Sequence, residues 1–71
     1  MPLAVAPVGA ILKVLKVLGD PKVKKHLSTL GIIPEEDIIL LSLTNNGAIV
    51  LVNNTRLAID NRICNSIVVS L

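Results

Sequence analysis

The sequence predicts a mainly β domain with one α-helix, in which about five short strands form a small barrel. Two observations support this prediction. Short aliphatic runs rich in Ile, Leu and Val recur along the chain, and the later runs are separated by Asn-Gly or Asn-Asn pairs, which favour tight turns. Only residues 20–31 have apolar positions at helical spacing between helix-start and helix-stop signals. The 71 residues are enough for one domain, 1–71.

The first predicted strand covers residues 10–17 and follows a lead-in segment over 2–9. Alternate side chains of a regular strand point to opposite faces, so Lys13 and Lys16 would lie on opposite faces. We therefore expect either a β-bulge or a lysine side chain that lies along apolar surface with its ammonium group in water.

The predicted helix begins after Asp20 and ends at Gly31. Asp is a favoured N-cap, and Pro21 suits the first helical position because its missing N–H would have no partner there. Gly31 suits the residue after the helix, where φ is positive. The apolar side chains recur at positions i, i+4 and i+7 and form one narrow stripe: Val23, Leu27 and Leu30.

After the helix, Pro34 turns the chain into three further predicted strands, over 36–43, 48–52 and 55–59. The strand 36–43 is a nearly continuous apolar run, which indicates that both of its faces are covered. Asn46-Gly47 predicts a type I′ hairpin turn, whose two central residues have positive φ. Asn53-Asn54 predicts a second tight turn for the same reason.

The end of the chain completes the predicted barrel. Asp60 is expected to cap a single helical turn over 61–64, Asn65 to end that turn, and 66–69 to form the last strand. The order of strand, helix, three-strand meander, helical turn and strand matches a small SH3-like β-barrel with the helix between strands 1 and 2. Closure would protect the uncharged, β-prone strands from pairing with other chains.

The composition excludes several classes of function. There is no Phe, Tyr or Trp, so the aromatic surfaces that bind proline-rich peptides or stack single-stranded nucleic acids are absent. The net charge of +2 is too small to indicate nucleic-acid binding. No apolar run is long enough to span a membrane, and the N-terminus lacks the positive region of a signal peptide. We therefore expect a cytoplasmic protein without direct membrane insertion.

The sequence predicts no catalytic or metal-binding arrangement. It has no phosphate-binding glycine loop, nucleophile–base pair or carboxylate pair, so we expect no enzyme activity and no cofactor. His26 is the single histidine and Cys64 the single cysteine, and neither has the partners that metal binding needs. We interpret His26 as a half-exposed surface residue and Cys64 as a small buried hydrophobe. The carboxylates of residues 35–37 are interpreted as a solvated strand entrance.

Two features predict a binding module. Lys22, Lys24 and Lys25 form either a basic face for an acidic partner or a solvated helix face. The chain also has more Ile, Leu and Val than a small barrel can hold inside, so we expect exposed apolar side chains that contact a partner or a second copy of the chain. The predicted partner-binding residues are Lys22, Lys24, Lys25, His26, Leu40 and Arg56.

The sequence resembles the FeoA family of bacterial ferrous iron uptake. The resemblance is carried mainly by Leu27-Ser28-Thr29-Leu30-Gly31-Ile32-Ile33-Pro34, where the family has leucine, two variable residues, Leu-Gly, an aliphatic residue, a variable residue and proline. The opening residues 2–9, the strand end 14–17 and the tail 56–69 support it. Family sequences usually have glycine after this proline, where this chain has Glu35. Because positive φ would strain Glu35, we expect a type I turn here and not a type II turn.

This resemblance implies an SH3-like barrel and a protein that binds the FeoB membrane GTPase permease. It links the protein to transition-metal handling, with ferrous iron belonging to the pathway and no iron site in this chain. Two alternatives stay open. One is the detached SH3-like domain of a metal-dependent transcriptional regulator, which would bind a metal or a DNA-binding domain. The other is an RNA-associated small barrel, which the missing aromatics and weak basicity disfavour.

Overall fold

A computed structural model covering residues 1–71 has five β-strands, two α-helices and one 3₁₀ turn. The 3₁₀ turn (Leu3–Val5) precedes the first strand, and one helix follows that strand while the other precedes the last strand. The bounds are β1 (Ile11–Val17), α1 (Pro21–Thr29), β2 (Asp37–Thr44), β3 (Gly47–Val52), β4 (Thr55–Asp60), α2 (Asn61–Ser66) and β5 (Ile67–Ser70).

The five strands form one antiparallel sheet in the order β4-β3-β2-β1-β5. This confirms the mainly β architecture and the placement of both helices. The two strands at the ends of this order, β4 and β5, are not joined by a ladder, so the closure that we expected is not completed by hydrogen bonds.

The interior of the domain is aliphatic apart from Cys64, and no polar or charged side chain is buried. Inward-facing residues alternate with exposed ones along β1, where Leu12 and Val14 are fully buried and Ile11 is 65% exposed. β2 is covered on both faces only in its first half, because Leu43 is 50% exposed. The expected exposed apolar side chains are present: Met1, Val5, Val8, Ile11, Leu15, Leu18, Ile33, Leu43 and Leu71.

β1 contains a β-bulge, which is one of the two alternatives expected for this strand. Its register with β5 shifts between Val14 and Lys16, so Leu15 is the extra residue. Lys13 and Lys16 are consequently both exposed, although they would lie on opposite faces of a regular strand.

The two hairpin turns differ in type. Asn53 and Asn54 have φ of +50° and +61°, which confirms the left-handed turn predicted between β3 and β4. The β2–β3 hairpin is also confirmed, but the prediction of a type I′ turn at Asn46-Gly47 is wrong. The two turn residues are 45 and 46, and neither has positive φ. Glycine is needed at Gly47 because a Cβ there would overlap the carbonyl oxygen of Ile59 on β4.

Helix α2 begins as predicted but is longer than predicted. The Asp60 carboxylate accepts a hydrogen bond from the backbone N–H of Ile63 at 2.8 Å, which caps the helix. Asn65 does not end it, because the helix continues to Ser66. The Ser66 hydroxyl donates to the carbonyl oxygen of Arg62 at 3.0 Å and so bonds within the last turn.

Candidate functional site

A groove lies between helix α1, the end of strand β1 and the chain corner that follows the helix. Its volume is about 560 Å³, within the range of ordinary ligand sites. Its floor is mainly apolar and its rim carries lysines, so we name it the lysine-rimmed groove. It is lined by Lys16, Val17, Lys24, Lys25, Ser28, Ile32, Ile33 and Pro34.

The start of α1 and its apolar stripe hold the helix beside the groove. The Asp20 carboxylate accepts a hydrogen bond from the backbone N–H of Val23 at 2.9 Å, and Pro21 is the first helical residue, so both predicted start signals are confirmed. Leu27 is fully buried, and Val23 and Leu30 are partly buried against the core. The predicted stripe therefore faces the barrel, and the opposite face of α1 is left to solvent.

The end of α1 brings Ile32 beneath the groove. Gly31 has φ of +91°, as predicted for the residue after the helix. Its N–H donates to the carbonyl oxygen of Ser28 at 3.0 Å, and the N–H of Ile32 donates to that of Leu27 at 2.9 Å. These two bonds make a Schellman motif. Because Ile32 is only 1% exposed, it ties the floor of the groove to the hydrophobic core.

The corner after α1 is a type II turn, so the type I turn expected from Glu35 is wrong. The N–H of Glu36 donates to the carbonyl oxygen of Ile33 at 3.2 Å, with Pro34 at the second position of the turn. Glu35, at the third position, has φ of +77°, which a type II turn requires. The turn leaves Pro34 exposed and Ile33 39% exposed, so apolar surface remains open along the groove.

The rim of the groove carries three unneutralised positive charges. Lys24 and Lys25 are successive residues of α1, and the β1 bulge brings Lys16 to the same groove. The single salt bridge of the structure joins Lys13 to Glu35 at 3.8 Å, and no carboxylate lines the groove. Clefts lined by one sign of charge concentrate oppositely charged ligands. The groove is therefore suited to an anionic ligand with apolar parts.

The structure brings only part of the predicted partner-binding set together. Lys24 and Lys25 line the groove. Lys22 and His26 are exposed on α1 but do not line the groove. The groove also contains residues outside the predicted set, since an exact face cannot be read from an irregular strand and a turn: Lys16, Val17, Ser28, Ile32, Ile33 and Pro34.

Two predicted partner-binding residues lie outside the groove, and one of them needs correction. Arg56 is exposed on β4. Leu40 is fully buried in the core, so it cannot contact a partner. The side chains on both faces of β2 are apolar near Leu40, so the sequence alone did not show which of them point inward.

The FeoA domain family matches residues 1–71, the whole of the chain. The chain belongs to the FeoA family. This confirms the family that the Leu27–Pro34 stretch indicated. A search of curated proteins finds no match to this FeoA-family chain.

Solved structures of FeoA proteins share the fold. An iron uptake regulatory protein (FeoA) is 26% identical, with a TM-score of 0.87 over 97% of this chain and 93% of its own. FeoA from Chlorobium tepidum is 22% identical, with a TM-score of 0.87 over 97% of this chain and 68% of its own. FeoA from Stenotrophomonas maltophilia, described as a procaryotic SH3 domain protein and solved with zinc, is 21% identical, with a TM-score of 0.83 over 99% of this chain and 89% of its own. The SH3-like fold is therefore confirmed.

The residues of this FeoA-family chain do not fit a metal site. No three His, Cys, Asp or Glu side chains lie close enough together to hold a metal ion. Asp20 and Asp60 each accept a backbone hydrogen bond at a helix start, and His26 is exposed on α1. Cys64 is 1% exposed. Burial, and secondarily the charge of Asp60, raises the pKa of the Cys64 thiol, which disfavours the thiolate that would bind a metal.

None of the helices combines the length and the apolar character that crossing a bilayer would require. Both α1 and α2 are short, with nine and six residues. The lysine-rimmed groove, with its three lysines and its exposed Ile33, is the feature of this FeoA-family chain that is best arranged to bind another molecule.

Proposed function

We propose that this protein is a small accessory protein of bacterial ferrous iron uptake, and that it binds an acidic cytoplasmic segment of the FeoB GTPase permease in the lysine-rimmed groove. The FeoA match over residues 1–71 carries the first part of the proposal. The unneutralised lysines of the groove support the second part. In this role the protein works by protein–protein binding in the cytoplasm, with no reaction of its own, and ferrous iron is the cargo of the permease.

The rim favours a carboxylate-bearing segment over a neutral one. Lys16, Lys24 and Lys25 have no carboxylate partner within the chain, so a docked Asp or Glu would neutralise charge without breaking an existing salt bridge. Lysines at a rim chiefly set the rate of encounter and its dependence on salt, because they stay solvated. We therefore expect binding to weaken as ionic strength rises.

The floor gives the segment an apolar anchor. Ile33 and Pro34 are exposed while Ile32 beneath them is fixed in the core, so one large apolar side chain of the partner can be buried there without deforming the barrel. Buried apolar anchors supply most of the affinity at protein interfaces. The segment that fits the groove is thus acidic with at least one large aliphatic or aromatic residue.

The test uses the full chain and the cytoplasmic part of the FeoB permease from the same organism, with binding followed by titration calorimetry. Lys24→Glu reverses a rim charge, and Ile33→Asp places a charge on the floor. Each is expected to weaken binding about tenfold, which corresponds to about 1.4 kcal/mol. Lys22→Glu is the matched control, because it makes the same charge change on α1 outside the groove and should leave the affinity nearly unchanged.

Far-UV circular dichroism of each variant checks that the fold is retained. If the wild-type chain binds but Lys24→Glu and Ile33→Asp bind equally well, the groove is not the docking site. If the wild-type chain does not bind the permease at all, the proposed partner is wrong.

A further inference from the structure

Strand β4 is the one uncovered edge of the sheet. The opposite edge strand, β5, is bonded on its outer side, where the N–H of Val69 donates to the carbonyl oxygen of Met1 at 2.7 Å and Pro2 forms a bridge with Val68. β4 pairs only with β3. Unpaired strand edges expose backbone groups that can pair with another strand.

The hairpin geometry shows which backbone groups of β4 are free. The turn between β3 and β4 has two residues, so Val52 and Thr55 face each other across it and form a hydrogen-bonded pair. Hydrogen-bonded pairs alternate along an antiparallel ladder, so Leu57 and Ile59 also bond to β3. The N–H and C=O groups of Arg56 and Ala58 and the N–H of Asp60 point away from β3, and the three side chains are exposed as well. The carbonyl oxygen of Asp60 is not free, because Asp60 is the N-cap of α2 and its carbonyl accepts the first bond of that helix.

The sequence of this edge is complementary to itself. If two β4 strands run antiparallel about a two-fold axis at Ala58, then Arg56 lies opposite Asp60 of the partner subunit, and the reverse pair forms at the other end. Leu57 and Ile59 face each other in the same way. Opposite charges directly across an antiparallel pair are stabilising, and only Oδ1 of Asp60 is used in capping α2.

We propose that the chain forms a two-fold dimer in which the β4 strands of two copies pair across Ala58 into a continuous sheet. In this register the N–H and C=O of Ala58 bond to Ala58 of the partner subunit, and the N–H of Asp60 bonds to the carbonyl oxygen of Arg56 of the partner subunit. β4 is only six residues long and only its residues 56–60 are paired in this register, so the dimer is weak and forms with rising protein concentration. It leaves the lysine-rimmed groove open, because no β4 residue lines that groove, and it is independent of the proposed function.

The first experiment measures molecular mass by sedimentation equilibrium over a range of protein concentrations. The wild-type chain is expected to shift from its monomer mass of 7.5 kDa to twice that mass. Ala58→Pro removes an outward N–H that β3 does not use, and edge strands tolerate proline. Arg56→Glu places like charges opposite each other at both ends. Both variants are expected to stay monomeric, whereas the control Lys22→Glu on α1 dimerises like the wild-type chain.

The second experiment tests the register by crosslinking in a Cys64→Ala background, which removes the native thiol. Ala58→Cys places two thiols at the two-fold axis, where the Cα atoms are about 5.5 Å apart, so a short bifunctional thiol reagent should give a covalent dimer. Thr55→Cys is the matched control, because its two copies lie six residues apart along the pair, about 20 Å, and should not crosslink.

A wild-type chain that stays monomeric at every concentration would overturn the proposal. A dimer that Ala58→Pro leaves intact, or one in which Thr55→Cys crosslinks as fast as Ala58→Cys, would place the contact on another surface and overturn it equally. Circular dichroism of Ala58→Pro separates loss of the dimer from loss of the fold.

Discussion

The backbone N–H of Glu35 donates a hydrogen bond to the carbonyl oxygen of Val14 at 2.8 Å, and the N–H of Val14 donates to the carbonyl oxygen of Glu36 at 2.9 Å. These two bonds join the corner after α1 to the middle of β1. They form with Glu35 at a φ of +77°, a conformation that L-residues with a side chain rarely adopt. The corner is thus held by β1 against the local preference of Glu35.

We expect Glu35→Gly to stabilise the domain relative to Glu35→Ala by about 1 kcal/mol. Both variants remove the exposed ion pair with Lys13, so the comparison cancels that contribution. They differ in the backbone, since glycine relieves the cost of positive φ while alanine keeps it. Denaturant unfolding followed by circular dichroism gives the free energy of unfolding. Equal stability of the two variants would show that the corner carries no strain.

A second close contact joins the end of α1 to the β3–β4 turn. A Cβ at Gly31 would collide with the side-chain amide of Asn53 and would also meet Val52. Gly31 therefore has two reasons to be glycine, its φ of +91° and the nearness of this turn. Gly9 has a similar φ of +88° but nothing within 4 Å of the added atom.

We expect Gly9→Ala to lower the free energy of unfolding by about 1 kcal/mol. Gly31→Ala should lower it by more than Gly9→Ala does, because the exposed side chain of Asn53 must rotate away from the added methyl group. The difference measures the contact with Asn53. Asn53→Gly keeps the left-handed turn and removes the colliding amide, so in that background Gly31→Ala should cost no more than Gly9→Ala. An equal cost of Gly31→Ala in both backgrounds would contradict this explanation.

The features that the sequence predicted well are those decided within a few residues. The cap at Asp20, the stop at Gly31 and the left-handed turn at Asn53-Asn54 each depend on local chemistry, and each is confirmed. The family pattern from Leu27 to Pro34 overlaps two of the groove-forming features, the helix stop and the corner. This explains why the position of α1 and its lysines could be predicted.

The features that the sequence predicted wrongly are those decided by distant contacts. The turn at residues 45–46 is bonded to Asn61, whose N–H donates to Asn46 and whose side-chain amide donates to Asn45. Sixteen positions separate Asn61 from Asn45, so no local rule could include it. Leu40 lies beside a shift in the β2–β3 register, and the apolar run around it fits either face. Lys16 enters the groove through a bulge whose position the alternation did not fix.

We expect Cys64 to make the stability of the domain depend on pH in the alkaline range. Its side chain is buried in the first turns of α2, and burial followed by the nearby charge of Asp60 raises the pKa of its thiol above the ordinary value of 9.0. The unfolded chain, where the thiol is solvated, therefore loses its proton at lower pH than the folded chain. Above that pH the unfolded state binds fewer protons, so the free energy of unfolding falls as pH rises.

We expect the stability of the wild-type chain to be independent of this thiol below about pH 8, and to decline from about pH 9 upward by at most about 1.4 kcal/mol per pH unit. The decline ends where the folded thiol itself ionises. Cys64→Ala is the matched control, since it removes the ionisable group while other titrating side chains remain. Urea unfolding at pH 7 and pH 10 measures both chains. The wild-type chain should lose more stability between these two pH values than Cys64→Ala does, and an equal loss would mean that the thiolate is tolerated inside the fold.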